Sequence, residues 1–421
     1  MKHLYIFEEQ GRASSYGIGT YVEQVIECLK SDFQISVILF AFMGGSVEER
    51  WQGNVRYITI PLGESSLLYL GSKKKWDKLF SHVVYILREF VNDNHVNIFH
   101  FNYSNYIMLA NKVKEVWPDS LSVLTIHYFS WCFTLKGNLV QFRNIVFHKP
   151  FEVMDEMERT VYYSYKQDLE MFNSVDKIIC LSQFACNHLK NEYSILSDKI
   201  EFIPNGLNDQ CVTTSKKDLR EQYNIPQNCK ILLFAGRLDE IKGIAYLVNA
   251  FRQMADKYND VRLYIIGEGD YGAVLSHSLY IRDKVVVLGK LNKNDLYNFY
   301  RIADLGVLPS MHEQCSFVLI EMFMQGLPCI ITTSTGLNDI FLDDCNDLRV
   351  DLIESKDKIV FPVQVLSSKM ELVYDKSFLI NASTYCRKYY KDTFQSFEMK
   401  AKMIDFLIDK SEKGIEPSFL D

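Results

Sequence analysis

Nowhere in this 421-residue chain do 18 apolar residues run together, which argues against a membrane-crossing helix of ordinary length. The opening residues Met1-Lys2-His3-Leu4-Tyr5-Ile6-Phe7-Glu8 reach an acid too soon to form a secretory signal core, so export by that route is not expected. Positive charge is in deficit, with a formal net charge of −7; this argues against general nucleic-acid binding, which requires a clustered surplus of Lys and Arg, and leaves room for local basic patches. The ten cysteines contain no Cys-x-x-Cys pair. Most of them, such as Cys28, Cys180 and Cys329, lie within apolar runs, where a thiol behaves as a small hydrophobe, so buried free thiols in a reducing cytoplasm are expected. There is no repeat at a period of about 20–50 residues and no long low-complexity segment, which excludes solenoids and propellers.

The chain does have enough apolar material for two cores. Hydrophobic residues make up 48% and aromatics 14%, and at this length two domains of roughly 200 residues each are expected. Strand-like and helix-like patterns alternate, the sign of βα units around a largely parallel sheet. The first series predicts strands at His3–Phe7, Phe33–Phe42, Asn97–Phe101, Val123–His127 and Lys177–Leu181, with helices at Tyr21–Lys30, Lys78–Asn92 and Gln183–Glu192. After Phe202-Ile203-Pro204-Asn205-Gly206 the composition turns polar, and a boundary near residue 206 is expected. A second series then predicts strands at Lys230–Ala235, Val261–Ile266, Val285–Leu288, Leu305–Leu308 and Cys329–Thr332, with helices at Ile244–Lys257, Asn294–Ile302 and Phe317–Phe323. A final helical pattern spans Ser396–Asp409.

The segment from Ala303 to Ile331 carries the most chemistry. Pro309-Ser310 breaks the strand Leu305–Leu308, leaving Glu313 in a loop and Glu321 on the following helix, eight residues on. Such a loop opens at the carboxyl edge of a parallel sheet, where open α/β folds bind ligands, and the amides of Ser316, Phe317 and Val318 at the helix start favour an anion. Upstream, Gly236-Arg237-Leu238 follows the strand Ile231–Ala235, and Lys242-Gly243 approaches the next helix. Arg can grip two phosphate oxygens in fork geometry while Lys acts as a point charge.

Taken together, these residues resemble the E-x7-E signature of retaining glycosyltransferases of the GT-B fold, family 4 (glycosyl transferases group 1). The resemblance extends over nearly the whole chain and is strongest in its second half. It implies two Rossmann-like βαβ domains facing across a cleft: residues 1–206 on the acceptor side, 207–395 binding the nucleotide sugar, and a helix over 396–421 returning to the first domain. It assigns Arg237 and Lys242 to the diphosphate leaving group, Glu313 to the donor sugar and Glu321 to the ribose hydroxyls. His127, closing Thr125-Ile126-His127-Tyr128, resembles the histidine that hydrogen-bonds the sugar and the phosphate; Tyr128 stands where the family has Asp. His100 and His312 are weaker candidates. Gly17 and Gly19, in Ser14-Ser15-Tyr16-Gly17-Ile18-Gly19-Thr20, resemble the glycine loop at the phosphate or sugar, with Tyr16 in place of the first glycine and able to stack on the acceptor. Gly236 and Gly267 mark strand-end turns, Gly269 with them, and Lys290-Leu291 a loop near the base. Ser316 stands where members commonly have Gly.

No Asp-x-Asp pair occurs. GT-A transferases use that pair to hold a divalent metal, so its absence together with Arg237 and Lys242 points to metal-independent transfer with no metal ligands to assign. The expected activity is transfer of a hexosyl group from a UDP- or GDP-linked sugar to an acceptor hydroxyl, with no other cofactor. The expected acceptor is a glycan, a lipid-linked sugar or a peptide, in polysaccharide, glycolipid or glycopeptide assembly. A nucleotide-sugar-binding subunit without turnover and a nucleotide-sugar epimerase are the alternatives. Residues Tyr128–Phe151 mix Trp131, Phe133, Phe142 and Phe147 with Lys136, Arg143, His148 and Lys149. That mixture suits either a peripheral contact at the inner membrane face or a loop packed on the first domain.

Overall fold

The computed structural model describes residues 2–11, 17–41, 45–62, 73–340 and 343–408. They divide into two compact units. The first comprises the described parts of Met1–Phe129, Tyr163–Asn205 and Ser396–Asp421, the second Ser130–Tyr162 and Gly206–Gln395.

The first unit is built on eight strands: β1 (Lys2–Glu9), β2 (Gln34–Ala41), β3 (Glu48–Gln52), β4 (Val55–Pro61), β5 (Val96–Phe101), β6 (Leu121–Ile126), β7 (Lys177–Cys180) and β8 (Ile200–Phe202), in the order β3-β4-β2-β1-β5-β6-β7-β8. All pairings are parallel except β3 with β4. Five consecutive residues of β1, Leu4 to Phe7 with His3, are buried, the continuous pattern of a strand covered on both faces. The helix Ser396–Leu407 packs on the helix Gly17–Leu29, where Cys28 Sγ donates to the Ser396 carbonyl at 3.5 Å and Lys400 pairs with Asp32 at 2.7 Å.

The second unit holds β9 (Lys230–Ala235), β10 (Val261–Ile266), β11 (Val285–Gly289), β12 (Leu305–Leu308), β13 (Cys329–Thr332) and β14 (Arg349–Val350), all parallel, in the order β11-β10-β9-β12-β13-β14. A hairpin, β15 (Ile353–Glu354) with β16 (Ile359–Val360), stands apart. The order reverses at β9 and β12, so the segments leaving these two strands splay apart at the carboxyl edge and open a crevice there. Arg237 follows β9 and Glu313 follows β12, which puts both at that reversal.

The structure departs from the expected division at residue 206, because Ser130–Tyr162 joins the second unit. Gly137, at φ +80°, lies so close to this unit that an added Cβ would meet the Met311 carbonyl oxygen at 2.7 Å. Asn138 Nδ2 donates to the Ser355 carbonyl at 2.9 Å, and Glu354 Oε2 accepts from the Leu139 amide at 3.0 Å. Several of the basic and aromatic residues of this segment are accordingly committed. Trp131 and Phe142 are buried and stacked at 4.4 Å, Lys136 pairs with Glu240, and Lys149 pairs with Glu158 at 2.6 Å, while Phe133 and Phe147 remain exposed. Among the described residues, no helix is long and apolar enough to cross a membrane.

Candidate active site

Three of the expected site residues are joined through a residue that the sequence did not single out. Asp239 accepts from the Lys242 amide through Oδ1 at 3.0 Å and pairs through Oδ2 with Arg237 Nη2 at 3.0 Å. The turn between them is therefore pinned, with both cations on one short loop after β9. Lys242 Nζ in turn donates to Glu313 Oε1, which also accepts from Ser310 Oγ at 3.1 Å. Gly243 follows at φ +70°, and an added Cβ would lie 2.1 Å from the Pro309 carbonyl oxygen. Only glycine permits that approach, and it brings the Arg237-Lys242 turn against the loop bearing Glu313.

The Glu313 backbone is fixed by Thr335, whose Oγ1 accepts from the Glu313 amide at 3.0 Å and donates to its carbonyl at 2.5 Å. Thr335 holds φ +37°, a conformation that a β-branched residue adopts only when its surroundings enforce it. Since the Thr335 proton goes to that carbonyl, His312 Nδ1, 3.1 Å from Oγ1, acts as the donor there. Burial pushes the pKa of His312 down to about 3, with Lys242 adding to the effect, so this ring is neutral and supports the loop.

The helix Phe317–Met324 begins at Ser316, whose Oγ caps it by accepting from the Leu319 amide at 3.4 Å. That cap explains why a serine serves here: it takes one first-turn amide and leaves those of Phe317 and Val318 ahead of any carbonyl of their own helix. Glu321 is 8% exposed. Its Oε1 accepts from Tyr297 at 3.3 Å and its Oε2 from Tyr300 at 3.2 Å. Burial raises its pKa to about 7, opposed by Lys293 and the two tyrosines. Two acceptor oxygens hold about four lone-pair positions, so two remain for further donors.

The glycine assignments change in meaning. Gly236, Gly267 and Gly269 have φ of +144°, +140° and +144°, and an added Cβ on Gly267 would sit 1.8 Å from the Gly236 carbonyl oxygen. The two turns are laced together, with the Gly236 amide donating to Ile266, the Leu238 amide to Glu268 and the Asp270 amide to Leu238. These glycines let β9 and β10 continue as paired backbone past their ends, which holds Arg237 in place. Lys290 is exposed in the turn after β11, and Leu291 packs on the core of this unit.

Gly17, Gly19 and His127 belong to the first unit. Helix Gly17–Leu29 starts earlier than expected, so both glycines are helical; Gly17 is exposed and Gly19 buried. Ser14, Ser15 and Tyr16 lie outside the described residues. His127 Nε2 lies 3.0 Å from Asn102 Oδ1, and the Asn102 amide nitrogen donates to the Phe7 carbonyl at 3.2 Å. His127 must therefore donate from Nε2, leaving Nδ1 as a lone-pair acceptor. Its ring packs edge-on against Tyr21 at 4.8 Å, and burial, with His100 nearby, pushes its pKa down to about 3. His100 is also buried, Nε2 lying 2.7 Å from Thr125 Oγ1. Tyr128, half-buried, follows at the strand end.

Asp239, Thr335, Tyr297 and Tyr300 were not expected. Asp239 could have been found from its place between the two cations; the others come from segments about twenty residues or more away from the acids they hold, with no local signal.

Two doubly wound α/β units, with cations and carboxylates gathered at the strand reversal of the second, define the GT-B class. Comparison with solved structures agrees. Sucrose-phosphate synthase of Thermosynechococcus elongatus superposes with a TM-score of 0.73 at 18% identity, over 96% of this chain and 97% of that one. Anabaena HepE, solved with UDP and glucose, gives 0.69 at 13% identity, over 96% and 98%. Residues 16–210 match the family described as Glycosyltransferase Family 4, and residues 215–352 that described as Glycosyl transferases group 1. The chain belongs to this GT4-like glycosyltransferase family. An uncharacterised glycosyltransferase of Methanocaldococcus jannaschii is 31% identical over 182 residues, 41% of this chain and 46% of that protein. The chain spans about half the length of the curated relatives it matches.

Proposed function

We propose that this protein transfers a hexosyl group from a UDP- or GDP-linked donor to an acceptor hydroxyl, with retention at the anomeric carbon and without a divalent metal, in polysaccharide, glycolipid or glycopeptide assembly. The observation that carries this reading is the pinned Arg237-Asp239-Lys242 turn meeting Glu313 at the carboxyl edge of the second sheet. As the bond from the anomeric carbon to the diphosphate oxygen breaks, negative charge accumulates on the diphosphate. Cations held in advance stabilise that charge more than they stabilise the ground state. Arg237 and Lys242 supply them, with the amides of Phe317 and Val318 beside them, and Glu321 accepts the ribose hydroxyls with its two remaining lone-pair positions. The acceptor hydroxyl attacks the same face that the leaving group vacates, forming the new bond from oxygen to the anomeric carbon and passing its proton to the departing phosphate oxygen. His127, neutral and with Nδ1 as an acceptor, suits a sugar hydroxyl. The structure of Anabaena HepE with UDP and glucose supports UDP as the first donor base to try.

One observation favours the binding-subunit reading. Lys242 is already engaged by Glu313, and Glu321 by two tyrosines, so the charges meant for a donor are partly satisfied without it. Release of free nucleoside diphosphate that rises with added acceptor tests the transfer reading. Donor binding without such release, across a panel of acceptors, would favour the binding subunit instead.

A further inference from the structure

At the opposite, amino-terminal edge of the second sheet lies a cavity of about 630 Å³. It opens where β9 begins at Lys230 and just before β12 and β13, at Asp304 and Pro328. Six cations line it, Lys216, Lys217, Arg220, Lys230, Arg301 and Lys376, and one acid, Asp304. In a chain of net charge −7, that is a local reversal of sign.

The single acid is fully committed. Asp304 Oδ1 takes Lys216 Nζ at 2.6 Å, while Oδ2 takes Arg220 Nη2 at 2.9 Å and the Ile231 amide at 2.7 Å. Arg220 is 4% exposed, and its Nη groups are spent on Asp304 and on the carbonyls of Gln227, Cys229 and Ile302. Arg301 presents a buried Nε that no group among the described residues accepts from. Lys217 pairs loosely with Glu221, at 3.9 Å. Lys216 is pushed towards its neutral form by burial, opposed by Asp304 and assisted by Arg220 and Arg301. Cations gathered around a cavity repel one another, and a multivalent anion relieves that repulsion while meeting fixed donors. The volume falls within the range of small-molecule sites, about 300–1,000 Å³.

We propose that this cavity is a second ligand site, for a small phosphate-bearing anion of at least two negative charges. The lining of the cavity includes Tyr300, the residue that donates to Glu321 Oε2. An anion seated there therefore sits one side chain away from a carboxylate of the candidate active site, a position suited to an effector.

Inorganic pyrophosphate is the probe, titrated by calorimetry in low-salt buffer free of phosphate. The titration is made in an Arg237→Ala, Lys242→Ala background, so that the two cations proposed for the other edge do not contribute, with Arg237→Ala alone as the fallback should the double variant fold poorly. Binding is expected to persist there, and to weaken at least tenfold when Lys217→Gln, Arg301→Gln and Lys376→Gln are added. Arg301→Gln alone should weaken it at least threefold, which keeps the test open if the combined variant folds poorly. No binding in that background, or binding that the cavity substitutions leave unchanged, overturns the proposal. Retention on vesicles of anionic phospholipid with no response to free pyrophosphate overturns it too, since the surface would then serve a membrane. None of these outcomes depends on acceptor-stimulated release of nucleoside diphosphate, which tests the transfer reading separately.

Discussion

Lys242 Nζ donates to Glu313 Oε1, with the two side chains 20% and 14% exposed. One is expected to neutralise a leaving diphosphate and the other to face the donor sugar, yet the two are paired with each other. A half-buried pair of this kind holds its two loops in register and keeps the lysine from being stranded with its charge uncompensated. Donor binding must then divide the lysine between carboxylate and phosphate, and the pair acts as a restraint on the two loops that carry these residues.

That restraint separates the two residues experimentally. Glu313→Gln releases Lys242, so affinity for a nucleoside diphosphate should hold or tighten, while transfer from the full donor falls. Lys242→Ala should weaken the nucleoside diphosphate and also leave Glu313 with Ser310 as its remaining side-chain partner. Calorimetry with the nucleoside diphosphate checks both; a Glu313→Gln protein that binds it several-fold more weakly would place Glu313 on the nucleotide rather than on the sugar.

Arg237 is held to Asp239 at 3.0 Å, so its position is fixed before the donor arrives. Arg237→Ala should lower turnover by about 10²–10³, the loss seen when one preorganised donor to a developing oxyanion is removed. Asp239→Asn should do part of the same damage by loosening the turn. Turnover unchanged in Arg237→Ala would take this residue out of the mechanism.

Much of the second unit was legible because its strands are largely apolar runs between breakers. β9, β10, β12 and β13 begin and end at the expected residues, since the buried apolar positions of a strand covered on both faces run nearly without interruption; β10 carries one charged residue, Arg262, among apolar neighbours. β3, Glu48–Gln52, was not legible: all five residues are exposed, and it is held by cross-strand pairs such as Arg56 with Glu49 at 2.9 Å and Arg50 over the Tyr57 ring at 4.5 Å. The site followed the same rule. Arg237, Lys242 and Glu313 stand in loops that follow strands and Glu321 on the next helix, where spacing predicts them, whereas Thr335 and Tyr300 reach them only through the fold. The attachment of Ser130–Tyr162 to the second unit also had no local signal, because the contacts of Gly137 and Asn138 are with residues about two hundred positions away.

Gly267 offers a test of what the glycines do. At φ +140° with an added Cβ 1.8 Å from the Gly236 carbonyl oxygen, Gly267→Ala must force the two turns apart, at a cost of at least about 2–3 kcal/mol. Thermal unfolding should show a clear fall in Tm and turnover should fall with it as Arg237 loses its support. A melting temperature equal to that of the native protein would mean that the turns adjust freely.

If Arg237, Lys242 and the amides of Phe317 and Val318 neutralise the diphosphate, transfer should survive exhaustive chelation of divalent ions. Among the described residues, no group of three His, Cys, Asp or Glu side chains is arranged to hold a metal. The measurement is product formation before and after chelation. Abolition by chelator with recovery on adding Mg²⁺ or Mn²⁺ would assign the neutralising charge to a metal.

Glu321 links stability to binding in opposite directions. Burial raises its pKa from 4.5 to about 7, so the folded protein holds this proton more tightly than the unfolded chain does. Below pH about 4.5 the carboxyl is protonated in both states and its burial carries no charge penalty. As pH rises towards 7 the unfolded chain ionises first, and this contribution to stability is lost, reaching a plateau above the folded pKa. A shift of that size corresponds to ~3 kcal/mol at most. Glu321→Gln keeps the shape and removes the titration. It should match the native protein near pH 4.5 and exceed its stability near pH 8, as chemical denaturation at the two pH values would show. Nucleotide binding runs the other way, because only the ionised carboxylate accepts ribose hydroxyls with charge assistance, about 1.5–3 kcal/mol per hydrogen bond. Affinity of the native protein for a nucleoside diphosphate should therefore climb between pH 6 and pH 8 relative to Glu321→Gln, whose ligand undergoes the same phosphate ionisation and so cancels that effect. Parallel pH profiles for the two proteins would remove Glu321 from the ribose, and a native protein as stable as Glu321→Gln near pH 8 would show that its charge is not buried at all.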